Sequence, residues 1–331
     1  MAIVHLESPA KIMLIEGLTM PEVTDDYLAD IAAAAPEGSE IVVCGGVQEA
    51  AGQAADVDVI LGIVNQALFA EAQQLRWVHA IASGVDMFMF DEFINSDVVL
   101  TGEKGLVGGH LADTGFGLLL ALTRQIHTSI RLGADAWSHR ASMRRVEVEL
   151  EGLTMGLVGF GGTGRAIAKR ALAFGMKNIA VDEFPSPGDH GVDEVWGVDR
   201  LADLLAQSDV VAICCPLTSS TESLINHRTV AQMRPGAYLM NVTRGEIVDN
   251  DAIVAGLESG HLGGAALDVV QGEPLDPNHP LFTHPNVAMT PHTAGASQLR
   301  APRNVARFVQ NLNHARRGEP LVGVVDKNLG Y

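Results

Sequence analysis

Short apolar runs of four to six residues recur through the first hundred positions, at 11–16, 40–44, 57–61, 77–81 and 98–101. Helical periodicity fills the intervals, as at 25–35 and 70–75. Runs this short fit buried strands, and strands that alternate with helices predict βαβ units and a parallel sheet. The rhythm breaks at 108–127, where Leu111, Phe116, Leu118, Leu119, Leu120, Ala121 and Leu122 place apolar side chains all round one helix. A helix without a polar face is predicted to be buried, inside the chain or against a partner subunit. A second series follows at 154–159, 178–182, 209–214, 237–241, 263–268 and 286–289, about six strands and enough for a complete doubly wound sheet. The stretch 297–317 predicts one long helix with Val305, Phe308, Val309 and Leu312 on one side, closed by Gly318 and Pro320.

Two such series in 331 residues predict two α/β domains, at roughly 100–200 residues per domain. Charge adds a detail of packing. Residues 1–100 hold 16 acids against two bases, whereas 298–331 hold two acids against six bases. The change of sign suggests that the C-terminal stretch returns to the acidic N-terminal one instead of forming a tail. With 40 acids, 22 bases and a net charge of −18, the chain lacks the clustered cations that nucleic acid requires. Its longest apolar stretch, 115–122, is bounded by Asp113 and Arg124, far short of the roughly 20 residues a bilayer span needs. The run 12–15 is too short for a signal-peptide core, so a cytoplasmic protein without membrane contact is expected. Cys44, Cys214 and Cys215 match neither a disulfide framework nor spaced zinc ligands and are read as core residues.

Chemistry enters with Gly159-Phe160-Gly161-Gly162-Thr163-Gly164. Among 35 glycines a G-x-G-x-x-G match arises by chance about 0.4 times, so the motif means little without its setting. Here an apolar strand runs into the glycines and a helix leaves them, which is the arrangement that brings backbone amides and a helix N-terminus to a pyrophosphate. Asp182 ends the next strand, 18 residues past Gly164. A carboxylate there accepts ribose hydroxyls and repels a 2′-phosphate, and Glu183, Phe184 and Pro185 bring no cation, so NAD is expected over NADP. Three later segments, 241–249, 266–274 and 290–296, each follow a predicted strand. The carboxyl ends of parallel strands line a ligand crevice, so Arg244, Asp268, Glu273 and His292 can converge there. Together they offer a cation for an anion, a base, and a carboxylate to orient that base. His279 and His284 stand close in sequence to His292, but Pro280 and Pro285 argue against a shared ligand face, and no metal is expected.

These segments, in this order after the glycine fingerprint, resemble the D-isomer-specific 2-hydroxyacid dehydrogenase family over nearly the whole chain. The resemblance implies a Rossmann cofactor domain, 104–297, inserted into a flavodoxin-like substrate domain made of 1–103 and 298–331. It implies catalysis in the cleft, with hinge closure excluding water. It implies that Arg244 binds the substrate carboxylate and carbonyl oxygen, that His292 is the general acid and base, and that Glu273 pairs with it. Asp268 would hold the nicotinamide carboxamide. Further cofactor contacts fall on Gly159, Gly161, Gly162, Thr163, Gly164, Asp182, Cys215, Pro216, Thr218, Val242, Thr243, His292, Ala294 and Gly295. The turn at Ser83 and Gly84 resembles one whose backbone amides hold the substrate carboxylate. A second Gly-Glu-Pro, at 318–320, follows the terminal helix with no strand before it and is set aside.

The implied reaction moves a hydride between NAD(H) and a D-2-hydroxy or 2-keto acid, such as glyoxylate, hydroxypyruvate or a larger 2-keto acid. The apolar helix 108–127 favours a homodimer through the cofactor domain. Two other readings share the scaffold, an NADH-sensing corepressor-like binding protein and a formate- or phosphite-type dehydrogenase. Turnover with those anions separates them. Trp137 is open between the pocket, an interface and core packing.

Overall fold

A computed structural model describes residues 2–6, 8–82 and 84–331 and divides them into two compact units, Met1–Val107 with Ala296–Tyr331, and Gly108–Gly295. The first unit is built on a five-stranded parallel sheet of β1 (Lys11–Ile15), β2 (Glu40–Cys44), β3 (Val59–Leu61), β4 (Trp77–His79) and β5 (Val99–Thr101). The spatial order is β2-β1-β3-β4-β5, the flavodoxin-like order. Alternation along the strands makes the sheet two-faced. Met13, Ile15, Ile60 and Val78 pack with Phe88 and Phe93 on one side. Their neighbours Ile12, Leu14, Val59, Leu61 and Trp77 pack with Ile31, Phe308 and Leu312 on the other. The basic terminal helix, Arg300–Arg317, therefore lies within the acidic unit, with its apolar stripe beside the helix Asp25–Ala34.

The second unit holds β6 (Thr154–Val158), β7 (Lys177–Asp182), β8 (Ser186–Pro187), β9 (Glu194–Gly197), β10 (Val210–Ile213), β11 (Ala237–Asn241), β12 (Leu262–Leu267) and β13 (Val287–Met289). Their order is β13-β12-β11-β10-β6-β7-β9-β8, all parallel except β8 at the rim. The order reverses between β6 and β10, and in such sheets the crevice at the reversal receives the ligand. Both faces are covered, which is why the central strands are almost wholly apolar.

Four expectations need correction. The sheet has eight strands where about six were expected, since β8 and β9 carry no apolar run. The helix expected at 108–127 spans Gly108–Thr123, because Gln125 takes a left-handed φ of 55° and a separate helix, Ile126–Leu132, begins after it. The helix expected at 70–75 is Gln66–Glu71, started by the Asn65 side chain accepting from Leu68 N–H at 2.9 Å. The terminal helix starts at Arg300, not at 297. Among the described residues no helix is long and apolar enough to cross a membrane.

Candidate active site

The glycine loop of the second unit shows three separate demands on side-chain size. Gly159 has a φ of +98°, and a Cβ there would sit 2.6 Å from Cys215 N, so the turn closes against the end of β10 only without a side chain. A Cβ on Gly164 would lie 2.3 Å from the Gly159 carbonyl oxygen, seating the helix Gly162–Ala173 on the turn. Gly161 has nothing within 4 Å of its Cβ position and leaves the backbone open to an approaching group. Asp182, at the end of β7, accepts Phe160 N–H at 2.7 Å and Phe184 N–H at 3.0 Å, which ties the second strand to the loop.

Beyond the loop, Cys215 is buried, and burial pushes its thiol up to about 12. Burial likewise raises Cys214 and Cys44, so all three cysteines are protonated core residues. Pro216 and Thr218 belong to a turn closed by Thr221, whose hydroxyl accepts from Thr218 N–H at 2.8 Å and donates to the Pro216 carbonyl at 2.7 Å.

The charged residues gather where β11, β12 and β13 end. Asn241 folds the chain back after β11, its side chain donating to the Arg244 carbonyl at 2.8 Å and accepting from Thr243 N–H at 3.2 Å. Val242 is buried under this turn, and the half-buried Arg244 guanidinium donates to the Thr243 carbonyl at 2.9 Å. Gly245 then packs so tightly that a Cβ would stand 1.9 Å from the Val270 carbonyl oxygen, which brings the arginine segment against the loop after β12. Asn250 and Gln271 clamp the same junction, exchanging side-chain and backbone hydrogen bonds at 2.9 and 3.2 Å.

Glu273 turns back within that loop, accepting Val270 N–H on Oε1 at 3.0 Å, while its Oε2 lies 2.8 Å from His292 Nδ1. With Nδ1 facing a carboxylate, the neutral imidazole carries its proton there, and Nε2 is left to accept or release another. The His292 side chain is 45% exposed and its backbone is left-handed, at φ 54°. What holds it so is Asp268. Only 2% exposed, its carboxylate accepts Thr290 Oγ1 at 2.6 Å, Thr293 N–H at 2.9 Å and Ala294 N–H at 2.9 Å, and its carbonyl accepts His292 N–H at 2.8 Å. A buried anion satisfied by two amides and a hydroxyl fixes the loop that carries the histidine.

Arg244, Asp268, Glu273 and His292 thus belong to one connected set. Its supports, Asn241, Asn250 and Thr290, are not among the residues expected from the sequence, although Asn241 and Thr290 open the segments 241–249 and 290–296. The Ala294 amide is already engaged by Asp268. Ser83 lies outside the described residues, and Gly84 is half-buried in the first unit. Trp137 is 81% exposed and packs in no core. Among the described residues no group of three His, Cys, Asp or Glu is placed to hold a metal ion.

A family profile described as "D-isomer specific 2-hydroxyacid dehydrogenase, NAD binding domain" matches residues 116–294. The chain belongs to the D-isomer-specific 2-hydroxyacid dehydrogenases. Membership makes it an oxidoreductase that transfers hydride in the interconversion of 2-hydroxy and 2-keto acids. It is 33% identical over 292 residues to a glyoxylate reductase of Thermofilum pendens, covering 83% of each chain. It is 36% identical over 253 residues to an (S)-sulfolactate dehydrogenase of Chromohalobacter salexigens, covering 76% of this chain and 81% of that one. Among solved structures, a D-isomer-specific 2-hydroxyacid dehydrogenase from Xanthobacter autotrophicus Py2, in complex with NADPH and MES, aligns with a TM-score of 0.81 at 26% identity, covering 98% of this chain and 100% of that one.

For a dehydrogenase of this family the glycine loop fits a dinucleotide. Gly161 leaves room for a pyrophosphate to approach the backbone, and the N-terminus of Gly162–Ala173 would supply amides beside it. The second unit is an NAD(P)-binding domain.

Proposed function

We propose that the chain is an NAD-dependent dehydrogenase of small D-2-hydroxy acids, working through Arg244, Glu273 and His292. The observation that carries this reading is the 2.8 Å contact between Glu273 Oε2 and His292 Nδ1 on a histidine whose other edge is open. Glu273 faces Nδ1 and fixes the tautomer, so Nε2 delivers a proton to the 2-oxygen in reduction and removes it in oxidation. Arg244, always charged and able to bind two oxygens, holds the carboxylate and steadies the carbonyl. Asp268 positions the His292 loop. Bound nicotinamide supplies or accepts the hydride.

NAD is favoured because Asp182 ends β7, where a carboxylate accepts ribose hydroxyls and repels a 2′-phosphate. The second unit also presents a surface that a second copy would cover. Its segment 126–146 has no buried residue and leaves Ile130 at 75% and Trp137 at 81% exposure, supporting a homodimer. Three free thiols suit a reducing cytoplasm.

The test is loss of NADH absorbance with glyoxylate, hydroxypyruvate, pyruvate and bulky 2-keto acids. Turnover is expected with at least one. His292→Ala should lower kcat by about 10²- to 10⁴-fold while leaving NADH affinity nearly intact. Tight NADH binding without turnover of any 2-keto acid would make the chain a dinucleotide-binding protein instead, and a fully active His292→Ala would remove the histidine from the mechanism.

A further inference from the structure

Arg165 follows the last glycine of the loop, in the first turn of Gly162–Ala173. Its Nη1 donates to the Phe160 carbonyl, its guanidinium lies 4.6 Å over the Phe160 ring, and its Nε meets Asp189 Oδ2 at 3.1 Å. Phe160 is also the residue whose N–H is bound by Asp182 at 2.7 Å. The cation and the Asp182 carboxylate therefore meet the same residue, Phe160, one at its carbonyl and one at its N–H. Asp189 comes from the turn between the rim strands β8 and β9, 24 residues along the chain. Both side chains are partly exposed, so the pair adds little to stability and its consequence lies in where it keeps the guanidinium.

A free guanidinium at this corner is what a 2′-phosphate would recruit, because the planar fork binds phosphate oxygens in pairs. We infer that Asp189 is a cofactor-specificity residue that acts through Arg165. By holding the guanidinium against Phe160 and cancelling its charge, it leaves the 2′ position facing Asp182 with no cation to offset it. NAD selection then depends on two carboxylates from different elements, one repelling the phosphate and one withholding its partner. The inference rests on the NAD reading above.

The test measures dissociation constants of NADH and NADPH from nicotinamide fluorescence in the wild-type protein, Asp189→Asn, and Asp189→Asn combined with Arg165→Gln. Wild type should bind NADH more tightly. Asp189→Asn should leave NADH affinity unchanged and tighten NADPH about threefold, the scale of one exposed charge contact, with the gain fading at high salt. The double variant should lose the gain. Unchanged NADPH affinity in Asp189→Asn, or a gain that survives without Arg165, overturns the inference and leaves NAD selection by Asp182 standing. A wild-type preference for NADPH, or binding of neither cofactor, removes the NAD reading and the inference with it.

Discussion

Two histidines show how surroundings divide one side-chain type into different chemistries. His292 stands open beside a carboxylate. His79, on β4, is wholly buried, its Nδ1 2.7 Å from Thr101 Oγ1, which also accepts Trp77 Nε1 at 2.8 Å. Burial, with the Arg307 guanidinium adding repulsion, pushes His79 down to about 3. Unfolding returns it to an ordinary value near 6.5, so between those limits the unfolded chain holds a proton that the native one lacks. Stability is complete above that window and falls as pH drops through it, by up to about 1.4 kcal/mol per pH unit from this group alone. Urea unfolding of wild type and His79→Gln at about pH 7.5, 6 and 4.5 should show the wild type losing stability more steeply. Parallel profiles would mean that the ring does not stay neutral in the fold.

At the scale of elements, the pattern of the chain reveals what is buried on both faces and conceals what lies at a rim. The central strands are legible because almost every residue in them is apolar. β8 is two residues with a proline, and β9 mixes Glu194 and Gly197 with Val195 and Trp196, so neither stands out from a loop. The helix break at Gln125 is also invisible, since no glycine marks it. In the site, Glu273 and His292 are readable as motif residues, but the seat of Gly245 on the Val270 carbonyl joins positions distant in sequence, and only the fold discloses it. The glycine loop separates fit from function experimentally. Gly161→Ala meets no atom and should leave the unfolding midpoint unchanged while weakening NADH binding about tenfold by crowding the pyrophosphate. Gly164→Ala forces a methyl onto the Gly159 carbonyl and should lower both affinity and stability, the latter by about 1–3 kcal/mol. NADH titrations and thermal unfolding of the pair check this, and a Gly161→Ala protein that binds NADH normally would argue against a pyrophosphate at that position.

For the whole molecule, the distribution of charge constrains how an anionic substrate is caught. The first unit gathers the acid-rich 1–100 and the basic 298–331, and still carries an excess of ten negative charges within the total of −18. Long-range attraction therefore cannot draw a 2-keto acid in, since the summed field is repulsive to anions. Capture has to be local, and on the role proposed for Arg244 its fork would act at distances where one well-placed cation outweighs a diffuse negative background. The exposed acids contribute solubility and a barrier to approach, and salt screens that barrier over about 10 Å at 0.1 M. Raising ionic strength from about 0.02 to 0.2 M should accordingly leave KM for the 2-keto acid unchanged or lower it, whereas a protein that steers anions by its field would show KM rising with salt. A steep rise in KM across this range would place a positive potential around the site and contradict local capture.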